Sequence, residues 1–342
     1  MSLIFVVGTG RCGSTMLSKA LHTHPEVLSL SEFFASLRNR AFPDGPITGR
    51  EFWQLLSAPD SHIDAMVRSG LKTAEQRYPY GTGRFREVSG VPAISHMTLP
   101  ALTDNPDRLY DELAGEVPSW PQRPIGDHYR ALFAWLTGRF GRPVLVERSG
   151  ASLLYVQRLK TMFPEARFVH MFRDGPDCAL SMSRHYGFRL MMLPQAAARK
   201  AGVPVPGLIK KHLDRVPADF RRFFNDEFTV DSLMAADLPL SDFGAFWSSM
   251  IQHGVRELAG TDHLELSYER MLDDPRTELA TLASYAGISA DPAWLDRVGA
   301  GIDASRGGAA QRLGPAEYAE LVAACAPGEQ ALTKQSQTIG KR

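Results

Sequence analysis

The chain has 342 residues, of which 44% are hydrophobic and 22% are charged, a balance that excludes disordered and fibrous proteins and is typical of a globular protein with a substantial core. Lysine plus arginine equals aspartate plus glutamate at 38 each, so the net charge gives no general attraction to nucleic acid or to an anionic membrane. No apolar run approaches the roughly 18 residues of a membrane helix, and the cysteines are three and widely separated. These features predict a cytoplasmic protein with no membrane span, no disulfide, no cysteine metal site and no nucleic-acid partner.

The chain opens with an apolar run at residues 3–7, which predicts a strand because it is too short for the apolar region of a signal peptide and leads directly into a glycine-rich loop. Apolar residues at helical spacing then predict a helix over residues 15–22. Residues 27–31 are expected to run back beside the first strand and to end near the glycine-rich loop. Strand, loop and helix in this order form half of a βαβ unit.

Strands and helices also alternate over the rest of the recognisable core. Further strands are predicted at residues 144–147, 167–172 and 263–268. Further helices are predicted at residues 153–163, 178–185 and 275–286, the first of them ended by Pro164. The first two of these strands have the pattern of parallel strands that are covered on both faces. The sequence therefore predicts an α/β, P-loop-like three-layer fold, with a central, mostly parallel sheet flanked by helices.

Two stretches differ from this core and are interpreted as helical insertions into a single domain that spans residues 1–342. Residues 38–142 are rich in proline and glycine with short helical patches, and residues 187–244 carry several basic and aromatic residues. Loops at the carboxyl ends of parallel strands are where such folds bind ligands. The two insertions are therefore expected to form a binding pocket and its lid.

The glycine-rich loop, residues 8–15 with the sequence GTGRCGST, lies between the first strand and the first helix. In that position consecutive backbone N–H groups and the helix N-terminus can hold a phosphate. Gly8 and Gly13 have the spacing of the outer glycines of a nucleoside triphosphate P-loop, but Ser14 stands where that motif has its lysine, and the cation lies earlier in the loop. The alternative is a turn that binds nothing. The candidate anion-binding residues are Arg11, Cys12, Gly13, Ser14 and Thr15.

A second candidate anion site lies where the strand at residues 167–172 ends. Arg173 follows that strand directly, and Ser181 lies eight residues later, near the first turns of the next helix. A cation and a hydroxyl in this arrangement can grip a second phosphate. The alternative is that Arg173 forms a structural ion pair with Asp174 or Asp177.

Four segments, in order along the chain, resemble the family of sulfotransferases that use 3'-phosphoadenosine-5'-phosphosulfate (PAPS), in particular the branch with the bacterial and protein-tyrosine sulfotransferases. GRCGST at residues 10–15 is similar to the loop that binds the 5'-phosphosulfate, and FRDGPDCALS at residues 172–181 is similar to the 3'-phosphate motif. HPEVLSLSE ends on Glu32, where that branch carries an acidic residue. LSYERMLDDP at residues 266–275 resembles the late strand-to-helix signature of the family and adds Tyr268 to the residues expected at the nucleotide.

The resemblance implies transfer of a sulfuryl group from PAPS to a hydroxyl of a small acceptor, giving a sulfate ester and adenosine 3',5'-bisphosphate (PAP). A sulfuryl group carries less charge than a terminal phosphoryl group, so hydrogen bonds and one or two cations can suffice without a metal. The acceptor stays open between carbohydrate, lipid, phenol, polyketide and peptide tyrosine, and so does the choice between a monomer and a homodimer. The alternatives are a P-loop kinase or nucleotide hydrolase, and a PAP-binding protein without catalysis.

In this interpretation Glu32 is the candidate general base, with Arg11 and Arg148 as the cations at the transferred group. Some relatives have a lysine where this chain has Arg148, and arginine offers a rigid fork of donors in place of a point charge. The alternative for Glu32 is a helix cap or an ion pair with an arginine such as Arg11. His128 and His185 are reserve candidates for the base.

Other residues are predicted to support this site. Glu147 is expected to orient Arg11 or Arg148, the alternative being an acidic strand end like the one that holds Mg²⁺ in kinases. In the tail, Arg306 and Gly307 belong to a turn that either closes over the 3'-phosphate or lies free in solvent. The aromatic residues that either line the acceptor pocket or belong to the core are Phe33, Phe34, Phe188, Phe223, Phe224 and Trp247.

Overall fold

The structure, a computed structural model, describes residues 2–224 and 229–339 of the chain. Its strands are β1 Ser2–Val7, β2 Val27–Ser31, β3 Pro46–Ile47, β4 Arg123–Pro124, β5 Val144–Arg148, β6 Arg167–Phe172 and β7 His263–Ser267. Five of them form one sheet in the order β2-β5-β1-β6-β7, and every neighbouring pair in it is parallel. β3 and β4 form a separate antiparallel ribbon. The predicted α/β fold with a central parallel sheet is confirmed.

Helices cover both faces of this sheet. Those that precede β6 are α1 Ser14–His22, α2 Phe33–Leu37, α3 Gly49–Ser57, α4 Ser61–Arg68, α5 Ala93–His96, α6 Thr98–Leu102, α7 Pro106–Glu116, α8 Ile125–Phe140 and α9 Val156–Met162. Those that follow β6 are α10 Gly175–Ser183, α11 Tyr186–Ala201, α12 Leu208–Lys211, α13 Ala218–Arg221, α14 Val230–Met234, α15 Leu240–Leu258, α16 Tyr268–Asp273, α17 Pro275–Ala286, α18 Pro292–Ala300 and α19 Pro315–Ile339.

The alternation of side chains along β1 divides the core into two parts. Phe5 points to one face, where its ring packs against the rings of Phe163 and Phe168 and where α8, α9 and α15 are among the helices that contribute apolar side chains. Ile4 and Val6 point to the other face, which α1, α17 and α18 cover. A fully buried aromatic side chain of this kind contributes about 1.5–3 kcal/mol of burial free energy. The sheet is thus held between two helical layers, with its loops free at the ends.

The order of the strands corrects one prediction. β2 does not pair with β1 but with β5, which lies between them, so that Ser31 is aligned with Arg148. β5 is buried along its whole length. Because it lies between β2 and β1, the backbone groups on both of its edges are paired. The end of β2 is therefore still delivered to the carboxyl edge of the sheet, next to the end of β5.

Helix capping shifts several predicted boundaries. α10 begins at Gly175 and not at residue 178, because the Asp174 side chain accepts a hydrogen bond from the Asp177 N–H and caps the helix. Ser267 caps α16 in the same way, so Tyr268 belongs to the helix and not to β7. The helix predicted over residues 153–163 starts as a 3₁₀ turn, Ser152–Tyr155, before α9.

The two stretches interpreted as insertions carry most of the short helices. Residues 38–142 contain α3 to α8 and the ribbon of β3 and β4, and residues 187–244 contain most of α11, then α12 to α14 and the start of α15.

The three cysteines are buried and form no disulfide. Across the described residues, none of the helices combines the length and the apolar character that crossing a membrane requires.

Candidate active site

The loop at residues 8–15 connects β1 to α1 and has the backbone of an anion-binding turn. Gly10, Arg11 and Gly13 all have positive φ angles, of 75°, 57° and 93°. A Cβ added at Gly13 would lie 2.3 Å from a ring carbon of Tyr268, so both the backbone and the packing require glycine there. Successive residues in such conformations turn their N–H groups toward one concave side, next to the N-terminus of α1.

Helix α10 is docked against this loop and brings the second motif to it. Arg11 Nε donates a hydrogen bond to Ser181 Oγ at 3.1 Å, and Cys178 Sγ donates to the Gly10 carbonyl at 3.3 Å. The Cys12 side chain is fully buried in the core, which leaves only its backbone N–H for an anion. The two candidate anion motifs, far apart in sequence, are therefore in direct contact through Arg11 and Ser181.

Arg173 is held in place from three sides. Its Nη2 donates to Asp177 at 2.9 Å and to the Arg306 carbonyl at 3.0 Å, and its guanidinium lies over the Tyr268 ring, 4.5 Å from the centroid. The ion pair with Asp177 is thus present, whereas Asp174 caps α10. Among the described residues, the buried Nε of Arg173 has no hydrogen-bond partner. Arg173 is a fixed cation with one donor still to be satisfied.

The tail turn lies against Arg173, as its predicted role requires. Its backbone is anchored by the Arg306 carbonyl and by the Ala310 N–H, which donates to Asp177 at 2.7 Å. The Arg306 guanidinium, however, is largely exposed and pairs with Asp303 at 3.1 Å. Gly307 lies near Leu272, with 3.7 Å between a Cβ added there and a methyl group of that leucine. Closure of this turn over a phosphate stays a prediction.

Glu32 and Arg148 form a buried ion pair at the carboxyl edge of the sheet, where β2 and β5 end side by side. The other carboxylate oxygen of Glu32 accepts a hydrogen bond from the Gly150 N–H at 2.9 Å, and Arg148 also donates to Ser31 Oγ at 2.8 Å. Glu32 itself has a positive φ of 56° and precedes α2 without capping it through its side chain. The partner of Glu32 is therefore Arg148 and not Arg11.

Glu147 precedes Arg148 on β5 and points to the opposite face of the sheet. Its carboxyl group accepts a hydrogen bond from Ser149 Oγ at 2.5 Å, so the prediction that it orients Arg11 or Arg148 is wrong. The pKa of Glu147 is raised to about 8, chiefly by burial and also by the neighbouring charge of Glu32, against the lowering effect of the Ser149 hydrogen bond. Burial thus favours the protonated form of this carboxyl group.

A cavity of about 720 Å³ opens beside the loop. Its lining includes Arg11, Ser14, Thr15, Glu32 and Arg148, together with residues of both predicted insertions. Among the described residues, Arg173, Ser181, Tyr268 and Arg306 do not line it. The loop therefore separates two regions: the cavity on one side, and the cluster around Arg173 on the other.

The cavity also contains a carboxylate that no motif marked. Glu75, from the first inserted stretch, lies 3.5 Å from Thr15 Oγ1 and 3.9 Å from Nε2 of His185. Burial alone would raise the pKa of Glu75, but His185 and the positive charge of Arg11 lower it to about 2. Glu75 stands in a stretch without recognisable periodicity, so only the folded chain reveals its position beside His185.

The two reserve histidines have different surroundings. His185 lines the cavity, as predicted. His128 is wholly buried, hydrogen-bonds through Nε2 to the Ile47 carbonyl at 2.7 Å and stacks on Phe52, so it is a core residue and not a candidate base.

The aromatic residues predicted for the pocket also differ in their surroundings. Phe188, Phe223 and Phe224 line the cavity, and the first two are also buried in the core, whereas Phe33, Phe34 and Trp247 belong to the core only. In residues 2–224 and 229–339, no group of three or more His, Cys, Asp or Glu side chains is arranged to hold a metal ion.

Comparison with known proteins matches about a third of the chain to one family model. A family model described as "Sulfotransferase family" matches residues 121–231, which include Arg148, Arg173 and Ser181 but neither the loop nor Glu32. A search of curated proteins found no match.

Three solved structures align with most of this chain at low sequence identity. The sulfotransferase domain of the Synechococcus PCC 7002 olefin synthase shares 14% identity, over 95% of this chain and 94% of that one, with a TM-score of 0.46. The sulfotransferase domain from the curacin biosynthetic pathway shares 12%, over 94% and 96%, with a TM-score of 0.48. A sulfotransferase from Alicyclobacillus acidocaldarius shares 15%, over 97% and 94%, with a TM-score of 0.41. At such values the roles of individual residues rest on the geometry of this chain alone.

Proposed function

We propose that this chain, whose residues 121–231 match the sulfotransferase family model, is a sulfotransferase that transfers a sulfuryl group from PAPS to a hydroxyl of a small acceptor, leaving a sulfate ester and PAP. The observation that carries the proposal is the hydrogen bond from Arg11 Nε to Ser181 Oγ. It joins the loop suited to a 5'-phosphosulfate to the motif suited to a 3'-phosphate. Two connected anion sites match a donor that has a phosphate group at both the 3' and the 5' position.

The residues present fit this nucleotide. The left-handed backbone of Gly10, Arg11 and Gly13 forms the concavity that loop amides need to surround the 5'-phosphosulfate. The unpartnered Nε of Arg173 can make a charge-assisted hydrogen bond to a 3'-phosphate oxygen. Tyr268 supports both features, because its ring packs on Gly13 and under the Arg173 guanidinium.

PAPS supplies an activated sulfuryl group. In the proposed step, Glu32 accepts the proton of the acceptor hydroxyl while the acceptor oxygen bonds to sulfur and the bond between sulfur and the 5'-phosphate oxygen breaks. Arg148 and the Gly150 N–H hold the Glu32 carboxylate in one orientation. Arg11 and Arg148 stabilise the negative charge on the transferred group and on the phosphate that leaves, and the Nε of Arg148 is buried without a partner among the described residues.

Two assays separate this function from its alternatives. Native mass spectrometry with PAP, PAPS and ATP should show binding of PAP and PAPS, and labelled PAPS should be turned over with a suitable acceptor. Preference for ATP with Mg²⁺ would favour a kinase or nucleotide hydrolase, although Ser14 stands in place of the P-loop lysine. Binding of PAP without turnover of any acceptor would favour a PAP-binding protein.

We expect turnover of PAPS to persist in excess EDTA. The reason is that Arg11, Arg148 and the loop amides can together meet the charge of the donor. The measurement is the rate of PAP formation with and without chelator, at equal ionic strength. Loss of activity in EDTA that Mg²⁺ restores would contradict this expectation and support a kinase-like site.

Arg173→Ala and Ser181→Ala should each weaken PAP and PAPS binding equally, since both nucleotides carry the 3'-phosphate. Loss of a charge-assisted hydrogen bond costs about 1.5–3 kcal/mol, which is roughly a 10- to 150-fold rise in Kd. Calorimetric titration with PAP measures this directly. Arg108→Ala is the matched control, because Arg108 is exposed on α7 and pairs only with Glu112 among the described residues. A variant that binds PAP normally yet loses turnover would remove that residue from the 3'-phosphate site.

A further inference from the structure

Beyond its charged end, the cavity has an apolar wall that both inserted stretches build. Ile63, Met66 and Met97 come from the first stretch, and Phe188, Leu193 and Phe224 come from the second. A volume of about 720 Å³ lies within the range of pockets that enclose small organic ligands. The wall is formed by side chains from separate helices that face a common space, and not by a single exposed helix face.

Apolar side chains are also exposed to this space. Leu154, Met191 and Ile209 line the cavity and are 42%, 45% and 55% exposed. Seven large apolar side chains of the described residues are exposed to this degree, so three of the seven cluster at one cavity. Apolar groups that gather around a concave surface mark a place where a ligand covers them.

Some polar groups of the cavity are paired with one another, whereas Arg148 Nε and His185 Nδ1 are buried at the charged end without a hydrogen-bond partner among the described residues. At the charged end Glu32 pairs with Arg148, and Glu75 lies beside His185. Along the wall, Gln76 accepts a hydrogen bond from the Thr73 N–H at 2.7 Å. A polyhydroxylated acceptor that lies against the apolar wall would lose its hydrogen bonds with water and form few with the protein. Each buried hydroxyl group left without a partner would then lower the binding affinity. An apolar acceptor body has no such cost.

We propose that the acceptor is an alcohol with an uncharged apolar body, which lies against this wall and presents its hydroxyl to Glu32 at the charged end. This inference rests on the proposed function for the identity of the reacting group. The apolar body of the acceptor is inferred from the cavity alone. The apolar binding site and the sulfuryl transfer can therefore be tested separately.

The test is a series of straight-chain primary alcohols from butanol to octanol, with methyl β-glucoside as the polar counterpart. With PAPS, the specificity constant kcat/KM should rise about two- to fourfold for each added methylene until the wall is covered, and the glucoside should be a poor acceptor. The binding arm is calorimetric titration of the same compounds into the PAP complex, which needs no turnover.

Met191→Glu places a charge on the wall and should weaken octanol binding at least about tenfold, with an equal loss in the specificity constant for octanol, while the affinity for PAP stays unchanged. Met234→Glu is the matched control, because Met234 is also an exposed helical methionine, at 40%, but does not line the cavity among the described residues. Chain-length-dependent binding without turnover would support the apolar site and contradict the transferase. Turnover of the glucoside in preference to octanol, or equal binding of butanol and octanol, would overturn the inference and leave the transferase standing.

Discussion

Glu32→Gln should lower kcat for PAPS-dependent sulfation by about 10²- to 10⁴-fold and leave the affinity for PAP nearly unchanged. Glutamine keeps the shape of the side chain and can still accept the hydrogen bond from the Gly150 N–H, but it cannot take the proton of the acceptor hydroxyl. The measurement is kcat at saturating PAPS and acceptor across the pH range.

The ion pair with Arg148 requires a control for folding. Removal of one partner of a buried ion pair leaves the other charge unpaired and can cost about 3–5 kcal/mol of stability. Glu32→Asp keeps the carboxylate at this position and should retain part of kcat, and the unfolding midpoint and PAP affinity of both variants show whether the site is intact. A folded Glu32→Gln protein with near-normal kcat would exclude Glu32 as the base. His185→Ala would then be the next variant, because His185 lines the same cavity beside Glu75.

The features that the sequence predicted well are local. β1, the loop and α1 follow each other within the first 22 residues, and the signals for them are an apolar run, glycines at fixed spacing and a helical repeat. The position of Arg173 at the end of β6 follows from the strand pattern in the same way. Each of these depends on chemistry between near neighbours, which a single sequence displays directly.

The features that it predicted poorly depend on contacts between distant segments. β2 pairs with β5 across more than a hundred residues, and this pairing, which no local pattern specifies, makes Arg148 the partner of Glu32. The strand β5 was predicted, but the burial that raises the pKa of Glu147 was not. Glu75 shows the extreme case, because a polar residue in an irregular stretch acquires its role only from the fold.

Glu147→Gln should stabilise the protein at pH 8 and change how its stability depends on pH. Burial raises the pKa of Glu147 to about 8 from the ordinary value of 4.5, so between these two values the folded protein keeps a proton that the unfolded chain releases. A raised pKa gives stability that is fully present below pH 4.5 and is lost as the pH rises through 8. The contribution of this group therefore falls by about 1.4 kcal/mol per pH unit across the window.

Glutamine does not titrate, and its carbonyl oxygen can still accept the hydrogen bond from Ser149 Oγ. The free energy of unfolding should be measured in urea at pH 5, 6, 7 and 8. The stability of the variant relative to wild type should increase from each pH to the next. Glu112→Gln is the matched control, because hydrogen bonds from Arg139 lower the pKa of Glu112, and both its folded and unfolded forms are ionised throughout this range. Its difference from wild type should be constant with pH. If the unfolding free energies of wild type and Glu147→Gln changed with pH in parallel, Glu147 would be ionised in the folded protein. The end of β5 would then carry the negative charge of Glu147 in addition to the ion pair of Glu32 and Arg148.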